Sequence, residues 1–303
     1  GRPQNGAAVL DCGGGRLGPR RKGTETMEYK LVADSCCELV PALTGPLGAK
    51  TAPLTILLDD VSYIDDDSMD IPHFLAAMKQ SRHIPKSACP APDVWARLFL
   101  EAKEVFAVTL SSKLSGSYNS AMVAKEMVES EHPGHRVHVF DSLSASAGEI
   151  AVGLRIKECA EAGMSFDGIV REVTSFIHGM KTYFIVENLD TLIKAGRMGR
   201  LTGYVASAMS LRPIMMGDAG EIKLYEKARG SVRAFTRLVD IIGERRSNFS
   251  DRTLVITHCN NERQAHFIRA EAARRYNFKE IVVAPTRGIS TMYANEGGVI
   301  IAF

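Results

Sequence analysis

The stretch VFAVTL, residues 105–110, runs directly into SSKLSGS, residues 111–117, and this junction decides how the chain folds. A continuous run of apolar or β-branched residues predicts a strand that is buried on both faces of a sheet. The serines and the glycine that follow predict a turn into a helix, because these residues favour turns and helix starts. The junction therefore predicts a strand–loop–helix unit, and neighbouring segments repeat it.

The same order recurs on both sides of this junction. YKLVA, residues 29–33, is followed by Asp34 and Ser35, and RVHVF, residues 136–140, is followed by DSLSASAG, residues 141–148. Strands that alternate with helices predict a parallel sheet covered on both faces. The loops would then meet at the carboxyl ends of the strands, beside the unpaired N–H groups of helix N-termini. Hydroxyl and N–H groups gathered there suit a small anion such as a carboxylate or a phosphate monoester.

The overall order of elements predicts an α/β protein of two domains. We expect an N-terminal domain, residues 28–164, with a parallel sheet and flanking helices, in which residues 51–58 form one strand. We expect a C-terminal α/β domain, residues 165–303, with a hairpin insertion whose strands cover residues 214–216 and 222–225. Alternation of strands and helices supports the first domain, and a turn rich in glycine supports the hairpin.

Composition limits the classes of function. The chain has 303 residues, of which 45% are apolar and 24% charged, values typical of a globular protein. Its net charge is +2, and basic side chains in residues 1–27 account for this surplus, which argues against nucleic acid as a main partner. No apolar run approaches the roughly 20 residues of a membrane-spanning helix, so we expect no integral membrane segment. Six cysteines without a C-x-x-C pair favour a reducing, cytoplasmic location.

Residues 1–27 differ from the rest of the chain. They are rich in glycine and arginine, and GGGRLG, residues 13–18, matches the pattern G-x-G-x-x-G. That pattern indicates dinucleotide binding only between a strand and a helix, and here Pro19 and a basic cluster follow it. We therefore interpret residues 1–27 as a disordered leader.

The loop after residues 105–110 holds the densest group of hydroxyls in the chain. Ser111, Ser112, Ser115 and Ser117 surround Gly116, which lets a backbone approach a ligand closely. A well-capped turn is the alternative interpretation, but one turn does not require four serines, so we favour a ligand site. The chain has no G-x-x-x-x-G-K-[ST] pattern, which argues against a nucleoside triphosphate.

Two other positions carry groups that could react. Cys36 and Cys37 follow Asp34 and Ser35, and thiols at a helix start can have a lowered pKa. We favour the structural interpretation, in which Asp34 or Ser35 caps a short helix and the cysteines belong to the core. His258 follows a predicted strand and could act as an acid or base, although a lone histidine there is more often structural.

The remaining candidates are arginines. Arg197 lies in the glycine-rich stretch AGRMGRLTG, and Arg229 follows the predicted hairpin. Each could hold a phosphate or a carboxylate, although most arginines are solvated surface charges. The eight histidines show no metal-ligand spacing, so we predict no metal.

These segments together resemble the DegV family, fatty-acid-binding proteins that include the acyl-carrier subunit of bacterial fatty acid kinase. The resemblance covers residues 27–303. The family's D-S-[TS] loop corresponds to DSC at 34–36, and its L-S-G-T-Y-x-S-A motif to LSGSYNSA at 114–121. Its V-x-D-S loop appears as VFDS at 139–142, and its L-x-x-G-G-R-[IML]-G segment corresponds to LIKAGRMG at 192–199. The resemblance implies a protein that holds a fatty acid between two domains, with no cofactor and no catalysis of its own.

The resemblance also implies which residues hold the carboxylate. The family uses a hydroxyl from a T-S-Q-P-S loop and the serine of L-S-G, which correspond to Ser87 and to Ser115 with its neighbour Gly116. A histidine of the family's C-terminal segment corresponds to Ser290, and we expect Ser290 and Thr291 to reach the carboxylate. That histidine is tied to acyl phosphate formation in members that work with a kinase. Its replacement by serine therefore predicts slow phosphotransfer, or a carrier alone.

The remaining residues have supporting roles in this interpretation. The resemblance implies that Arg197 and Arg229 lie near the mouth of the site and serve an ATP-dependent kinase partner, and that Asp34, Ser35 and Ser112 form loops beside it. The leading hypothesis is a carrier that binds a long-chain fatty acid and can present its carboxylate to that kinase.

The alternative hypothesis is an enzyme. It would act on a small phosphate or hydroxy compound through His258 or Cys36.

Overall fold

The computed structural model describes residues 29–44, 48–199 and 211–303. The predicted leader, residues 1–27, lies outside the described residues. The strands are β1 (Tyr29–Asp34), β2 (Lys50–Ala52), β3 (Thr55–Leu58), β4 (Val61–Ile64), β5 (Lys86–Ala88), β6 (Glu104–Thr109), β7 (Arg136–Asp141), β8 (Thr182–Ile185), β9 (Leu211–Asp218), β10 (Glu221–Arg229), β11 (Thr253–His258), β12 (Glu280–Pro285) and β13 (Val299–Ala302). The helices are α1 (Pro41–Thr44), α2 (Ile71–Gln80), α3 (Pro92–Phe99), α4 (Ser117–Glu131), α5 (Ala147–Glu161), α6 (Phe166–Gly179), α7 (Asp190–Lys194), α8 (Ser231–Arg245), α9 (Glu262–Arg275) and α10 (Gly288–Ala294).

The first sheet is parallel, with strand order β2-β1-β6-β7, as the junction at residues 105–117 predicts. Its central strands are continuous apolar runs because helices cover both faces. On one face, Val32 and Ala107 belong to a buried cluster with Trp95 and Phe99 of α3. On the other face, Phe106 packs against Phe166 of α6, with ring centroids 4.6 Å apart.

Helix α5 lies between the first sheet and a second, larger sheet. Ten of its fifteen residues are buried, which is the pattern of a helix enclosed on nearly all sides. Gly153 permits this close packing, because a Cβ there would lie 3.0 Å from a methyl group of Leu43. The same hydrophobic cluster includes Phe106 of the first sheet and Val255 of the second. The helix therefore holds the two sheets against one core.

The second sheet has six strands in the order β10-β9-β8-β13-β11-β12. Its neighbours are antiparallel except for β11 and β12, which are parallel. The predicted hairpin is present, and its strands are longer than residues 214–216 and 222–225, since β9 and β10 extend the sheet edge. Helices α8 and α9 cover the outer face through buried residues such as Phe235, Leu238 and Ile268. The α/β class predicted from the sequence is confirmed.

A small antiparallel sheet, β4-β3-β5, corrects one prediction. Residues 51–58 do not form a single strand: they form β2 in the first sheet and β3 in the small sheet. Pro53 lies between them and has no backbone N–H for a ladder, so the chain leaves one sheet there and enters another.

The predicted domain boundary stays a proposal. The first sheet and the small sheet use residues before 164, and the six-stranded sheet uses residues after 165. Gly163 has a φ of +71°, the left-handed conformation in which a glycine ends a helix such as α5. The proposed division, between residues 164 and 165, follows this glycine directly.

Candidate ligand-binding cavity

A cavity lies between the two large sheets. It contains about 900 Å³ of empty space, counting its opening to solvent. Loops at the carboxyl ends of β1, β6 and β7 form one wall, and strands β8 and β13 with the β9–β10 turn form the opposite wall. Its apolar lining consists of Leu54, Leu110, Leu114, Leu143, Ala145, Phe184, Val186, Leu192, Ile222, Ile289, Ala294 and Ile300. A wall that is mostly apolar with a few polar groups is typical of sites that bind small organic ligands.

Three of the five residues predicted to hold a carboxylate line this cavity. They are Ser87, Ser115 and Ser290, which come from β5, from the loop before α4 and from α10. The hydroxyl of Ser87 lies 3.2 Å from the hydroxyl of Tyr293, which also lines the cavity. The structure therefore brings together three hydroxyls that are far apart in the sequence.

The four serines before α4 have different roles. The Ser117 hydroxyl donates to Asp34 at 2.6 Å, and the Ser111 hydroxyl donates to a carbonyl of the β9–β10 turn at 2.7 Å. The backbone N–H of Ser112 donates to the carboxylate that ends β7. The Ser115 oxygen accepts from the N–H of Ser117 at 3.2 Å, which leaves its proton for the cavity. Of this loop's serines, Ser115 is the one on the cavity wall.

Arg197 also lines the cavity. Its Nε donates to the carbonyl of Leu114 at 3.1 Å and its Nη1 to the carbonyl of Ala195 at 2.6 Å. Gly196 before it has a φ of +73°, a conformation that favours glycine. Within the described ranges, Arg197 forms no salt bridge, so no acidic side chain there balances its positive charge.

Arg229 lies elsewhere. It ends β10, whereas Glu221 at the other end of that strand lines the cavity. The strand rise of about 3.3 Å per residue separates the two by roughly 26 Å. Arg229 instead lines an open depression with Arg233 and Arg237 of α8. The two arginines therefore line different concavities, Arg197 the cavity and Arg229 the depression beside α8, and a shared position near the mouth stays a prediction.

The other predicted residues support the walls. Gly116 is exposed at the start of α4, where a Cβ would lie 3.3 Å from the sulfur of Cys89. Thr291 is fully buried, and its hydroxyl pairs with that of Thr286 at 2.8 Å. The Ser35 hydroxyl accepts from the N–H of Leu54 at 3.0 Å, which ties the loop after β1 to the small sheet.

Asp34 organises the carboxyl end of the first sheet. Its carboxylate accepts from the N–H of Cys36 at 3.1 Å and of Leu110 at 2.9 Å, in addition to the Ser117 hydroxyl. Burial raises its pKa to about 6, and these hydrogen bonds oppose the rise. Asp34 thus fixes the loops after β1 and β6 on which the cavity wall depends.

Three further buried carboxyls adjoin this wall, and sequence reasoning missed all of them. They are Glu38, Asp65 and Glu149. Asp65 accepts the N–H groups of Gly288 at 2.8 Å and Ile289 at 2.9 Å, so it holds the start of α10 and places Ser290. Nothing in the local sequence distinguishes this aspartate from its exposed neighbours.

Glu149 and Glu38 have incomplete hydrogen bonding. Both oxygens of Glu149 and Oε1 of Glu38 are buried without a partner in the described part of the chain. Burial, the largest cause, raises the pKa of Glu149 well above its usual value and that of Glu38 to about 7. The spacing of Ser146 and Glu149 matches a capping box, which predicts an ordinary helix start. In the structure, Ser146 makes no side-chain cap, so this spacing does not form a capping box here.

The loop between β7 and α5 is strained where it meets the cavity. Leu143 and Ser146 have φ values of 51° and 53°, in the region that non-glycine residues rarely adopt. Both line the cavity. Such strain persists where the surrounding structure imposes it and is concentrated at functional sites.

The two groups of the enzyme hypothesis are poorly placed for reaction. Cys36 lines the cavity, but burial, with the nearby carboxyls, raises its pKa well above the usual range. A thiol that stays protonated is a weak nucleophile. His258 is buried outside the cavity lining, and its Nδ1 accepts from the N–H of Asn261 at 3.3 Å. Burial lowers the pKa of His258.

Two kinds of feature are absent from the described ranges. No group of three or more histidine, cysteine, aspartate or glutamate side chains there is arranged to hold a metal ion. Among the helices described, none combines the length and apolar character needed to cross a bilayer.

An enclosed apolar space with hydroxyls and one arginine suits a ligand with a long apolar body and a small anionic end. The architecture and this cavity define a class of two-sheet α/β proteins that enclose an amphipathic ligand. The chain belongs to the DegV family: the family model described as "Uncharacterised protein, DegV family" matches residues 28–303.

Relatives match over nearly the whole chain. A DegV domain-containing protein of Streptococcus pneumoniae is 31% identical over 280 residues, which cover 91% of this chain and 99% of that protein. The crystal structure of a DegV family protein from Ruminococcus gnavus, refined with vaccenic acid, is 38% identical with a TM-score of 0.86, covering 91% of this chain and 99% of that one. The structure of the Streptococcus pneumoniae Fatty Acid Kinase (Fak) B3 protein loaded with linoleic acid is 31% identical with a TM-score of 0.85 and the same coverage.

Proposed function

We propose that this protein binds a long-chain fatty acid in the cavity between its two large sheets. The observation that carries the proposal is the cavity itself, which is apolar over most of its wall and has hydroxyls and an arginine grouped on it. Burial of each methylene of an acyl chain contributes about 0.8 kcal/mol, which makes the tail the main source of affinity. Related proteins loaded with vaccenic and linoleic acids support the same ligand class.

Three residues are proposed to hold the carboxylate. Ser87 and Ser115 offer hydroxyl protons, and Ser290 lies on the same cavity wall. Arg197 adds a positive charge that has carbonyl partners but no acidic one within the described ranges. Hydrogen bonds from charged or hydroxyl donors to a carboxylate are the stronger ones in proteins.

Gly217 offers a test of the tail site. A Cβ at Gly217 would make ordinary contacts, 3.6 Å from Thr182 and 3.9 Å from the carbonyl of Leu143, on the cavity wall. Gly217→Met should therefore narrow the cavity, and we expect it to weaken oleate binding far more than laurate binding in a fluorescence displacement assay. Gly217→Ala is the matched control and should bind both acids normally. Equal oleate affinity in all three proteins would contradict the proposed tail site.

We also propose that the bound carboxylate is presented to an ATP-dependent kinase. The kinship with the Fak B3 protein supports this step, and Arg197 is suited to it because a guanidinium holds an acyl phosphate in two parallel hydrogen bonds. Ser290 stands where the family has a histidine, so transfer should be slow. An acyl phosphate assay with the host's kinase should show low turnover that Arg197→Ala abolishes and Ser290→His raises. Full turnover in the wild type would contradict this account of Ser290.

A binding protein accounts for the site better than an enzyme does. The acyl phosphate step, in this proposal, is catalysed by the separate kinase, and the chain itself supplies the bound acid. A cytoplasmic location is part of the proposal, since the five described cysteines are free thiols, which a reducing compartment maintains.

A further inference from the structure

Glu38 connects the buried carboxyls to the cavity. It is 3% exposed in the loop after β1, and its Oε2 accepts from the hydroxyl of Ser146 at 2.9 Å. Ser146 lines the cavity, and its oxygen also lies 2.7 Å from the hydroxyl of Thr257. Ser290, proposed above to hold the carboxylate, lies against the same loop, with its oxygen 3.6 Å from the sulfur of Cys36. Only hydroxyl groups therefore separate Glu38 from the proposed head-group site.

The number of protons in this chain of contacts restricts its charge states. A serine hydroxyl has one proton to donate. When Glu38 is ionised, Ser146 donates that proton to Glu38. Only the lone pairs of the Ser146 oxygen then remain for a group in the cavity. When Glu38 is protonated, it can donate to Ser146, and the proton of Ser146 becomes free for another acceptor. Ser146 can therefore donate to an anionic head group only in the protonated state of Glu38.

The surroundings also oppose a second negative charge. The titratable groups around this carboxyl come from every element packed there: Cys36 and Cys37 in its own loop, Asp34 at the end of β1, Asp65 after β4 and Glu149 in α5. Glu38 forms no salt bridge in the part of the chain that the structure describes. The carboxylate of Asp65 accepts hydrogen bonds from two backbone N–H groups. Burial is the largest cause of the raised pKa of Glu38, and the negative charge of Asp65 raises it further. A ligand carboxylate would add one more negative charge to this low-dielectric region.

We propose that Glu38 is the proton acceptor of the head-group site, so that the fatty acid anion binds together with one proton taken from solvent onto Glu38. This inference rests on the proposed function, because it assumes that the carboxylate binds beside Ser290 and Ser146. Glu38 is a positioning residue in this account: it acts on the ligand through the hydroxyl of Ser146.

The sign of the effect follows from linkage. Glu38 in the free protein has a pKa of about 7, so it is mainly ionised at about pH 8 and mainly protonated at about pH 6. A bound carboxylate raises that pKa further, so proton uptake is large at the higher pH and small at the lower. The affinity for the acid should therefore fall as the pH rises above about 7, by at most about tenfold per pH unit.

Calorimetry of the delipidated full chain tests the proposal. Myristate is titrated at about pH 8 in phosphate and in Tris, two buffers with different ionisation enthalpies, so that the buffer dependence of the heat counts the protons taken up. We expect the wild type to take up between about half a proton and one proton with myristate and none with myristyl alcohol, which has the same tail and no carboxyl group. Glu38→Gln should bind myristate without proton uptake and with little dependence on pH.

Glu158→Gln is the matched control, because Glu158 belongs to α5 but pairs with Lys279 at 2.7 Å outside the cavity lining. It should keep the wild-type proton uptake. Myristate binding whose heat is independent of the buffer would overturn the inference, and so would unchanged uptake in Glu38→Gln. The wild-type comparison of acid and alcohol remains a test even when Glu38→Gln does not fold. Equal proton uptake with the two ligands would overturn the inference. Absence of binding by either ligand would overturn the proposed function as well, which distinguishes the two failures.

Discussion

The cavity and the open depression beside α8 both contain arginine, but they differ in how charge is balanced. In the depression, Arg237 pairs with Glu226 at 2.9 Å and with Glu244, and the surface is open to solvent. Around the cavity, Arg197 has no acidic partner within the described residues, and Glu149 is buried without a hydrogen bond. The depression also holds Arg229 and Arg233, which have no salt bridge in the described ranges but are exposed, so water solvates their charges. Arg197 lines a partly enclosed apolar cavity, where a ligand anion can balance its charge.

This difference shows that an arginine in a sequence motif does not define a site. The sequence interpretation gave Arg197 and Arg229 the same role, yet one lines the cavity and the other is exposed beside α8. Enclosure matters because a charge removed from water interacts more strongly with a ligand than one on the surface. The predictions below test the comparison between the two regions.

Removal of both head-group hydroxyls should have the largest effect. Each of Ser87→Ala and Ser115→Ala should weaken fatty acid binding by roughly 1 to 3 kcal/mol, because each removes a hydrogen bond to a charged group. We expect the double variant to lose about a hundredfold or more in affinity by displacement titration. Ser112→Ala is the control from the same loop, and its side chain is not on the cavity wall. Wild-type affinity in the double variant would contradict the assignment.

Replacement of the buried unpaired carboxyl should have the next largest effect. The pKa of Glu149 is raised in the folded protein, so its contribution to stability is present at low pH and is lost as the pH rises through the folded pKa. Glutamine does not ionise, so Glu149→Gln should not lose stability as the pH rises. We expect it to raise the free energy of unfolding by roughly 1 to 3 kcal/mol relative to the wild type in alkaline buffer. Thermal melts across pH provide the measurement.

The depression provides the matched control for this change. Glu244 pairs with Arg237 at the surface, so Glu244→Gln should lower stability by at most about 1 kcal/mol. If Glu149→Gln and Glu244→Gln changed the free energy of unfolding in the same direction, the contrast between the two regions would be wrong.

Loss of the cavity arginine should have a moderate effect. Arg197→Ala removes the positive charge beside Ser115, and we expect roughly tenfold weaker binding of a fatty acid with little change for a fatty alcohol. Comparison of the two ligands by calorimetry separates the loss of charge from a general disturbance of the wall. Equal losses for both ligands would indicate that Arg197 acts through structure alone.

Replacement of Arg229 in the depression should have the smallest effect on fatty acid affinity. Arg229 is not among the residues that line the cavity, so Arg229→Ala should change fatty acid affinity less than about twofold. We propose that Arg229 serves in docking the kinase, which a pull-down with that kinase would measure. A large loss of fatty acid affinity would show that the two regions are coupled.

The sequence predicted what depends on local pattern. The apolar run at residues 105–110 and the serines after it led to the parallel sheet and to Ser115, because neighbouring residues determine strands, turns and helix starts. The sequence did not predict Glu38 or Asp65 as parts of the wall, because tertiary packing alone brings their loops to the cavity. Pro53 is an intermediate case: its missing N–H was readable, but the change of sheet that it permits was not.

Native mass spectrometry of the protein, purified gently from its own host, tests the central claim most directly. We predict a bound species whose mass matches a long-chain fatty acid, present in the wild type and depleted in the variant that lacks both Ser87 and Ser115 hydroxyls. A bound phosphate monoester would contradict the account, and so would a protein that stays empty after incubation with oleate.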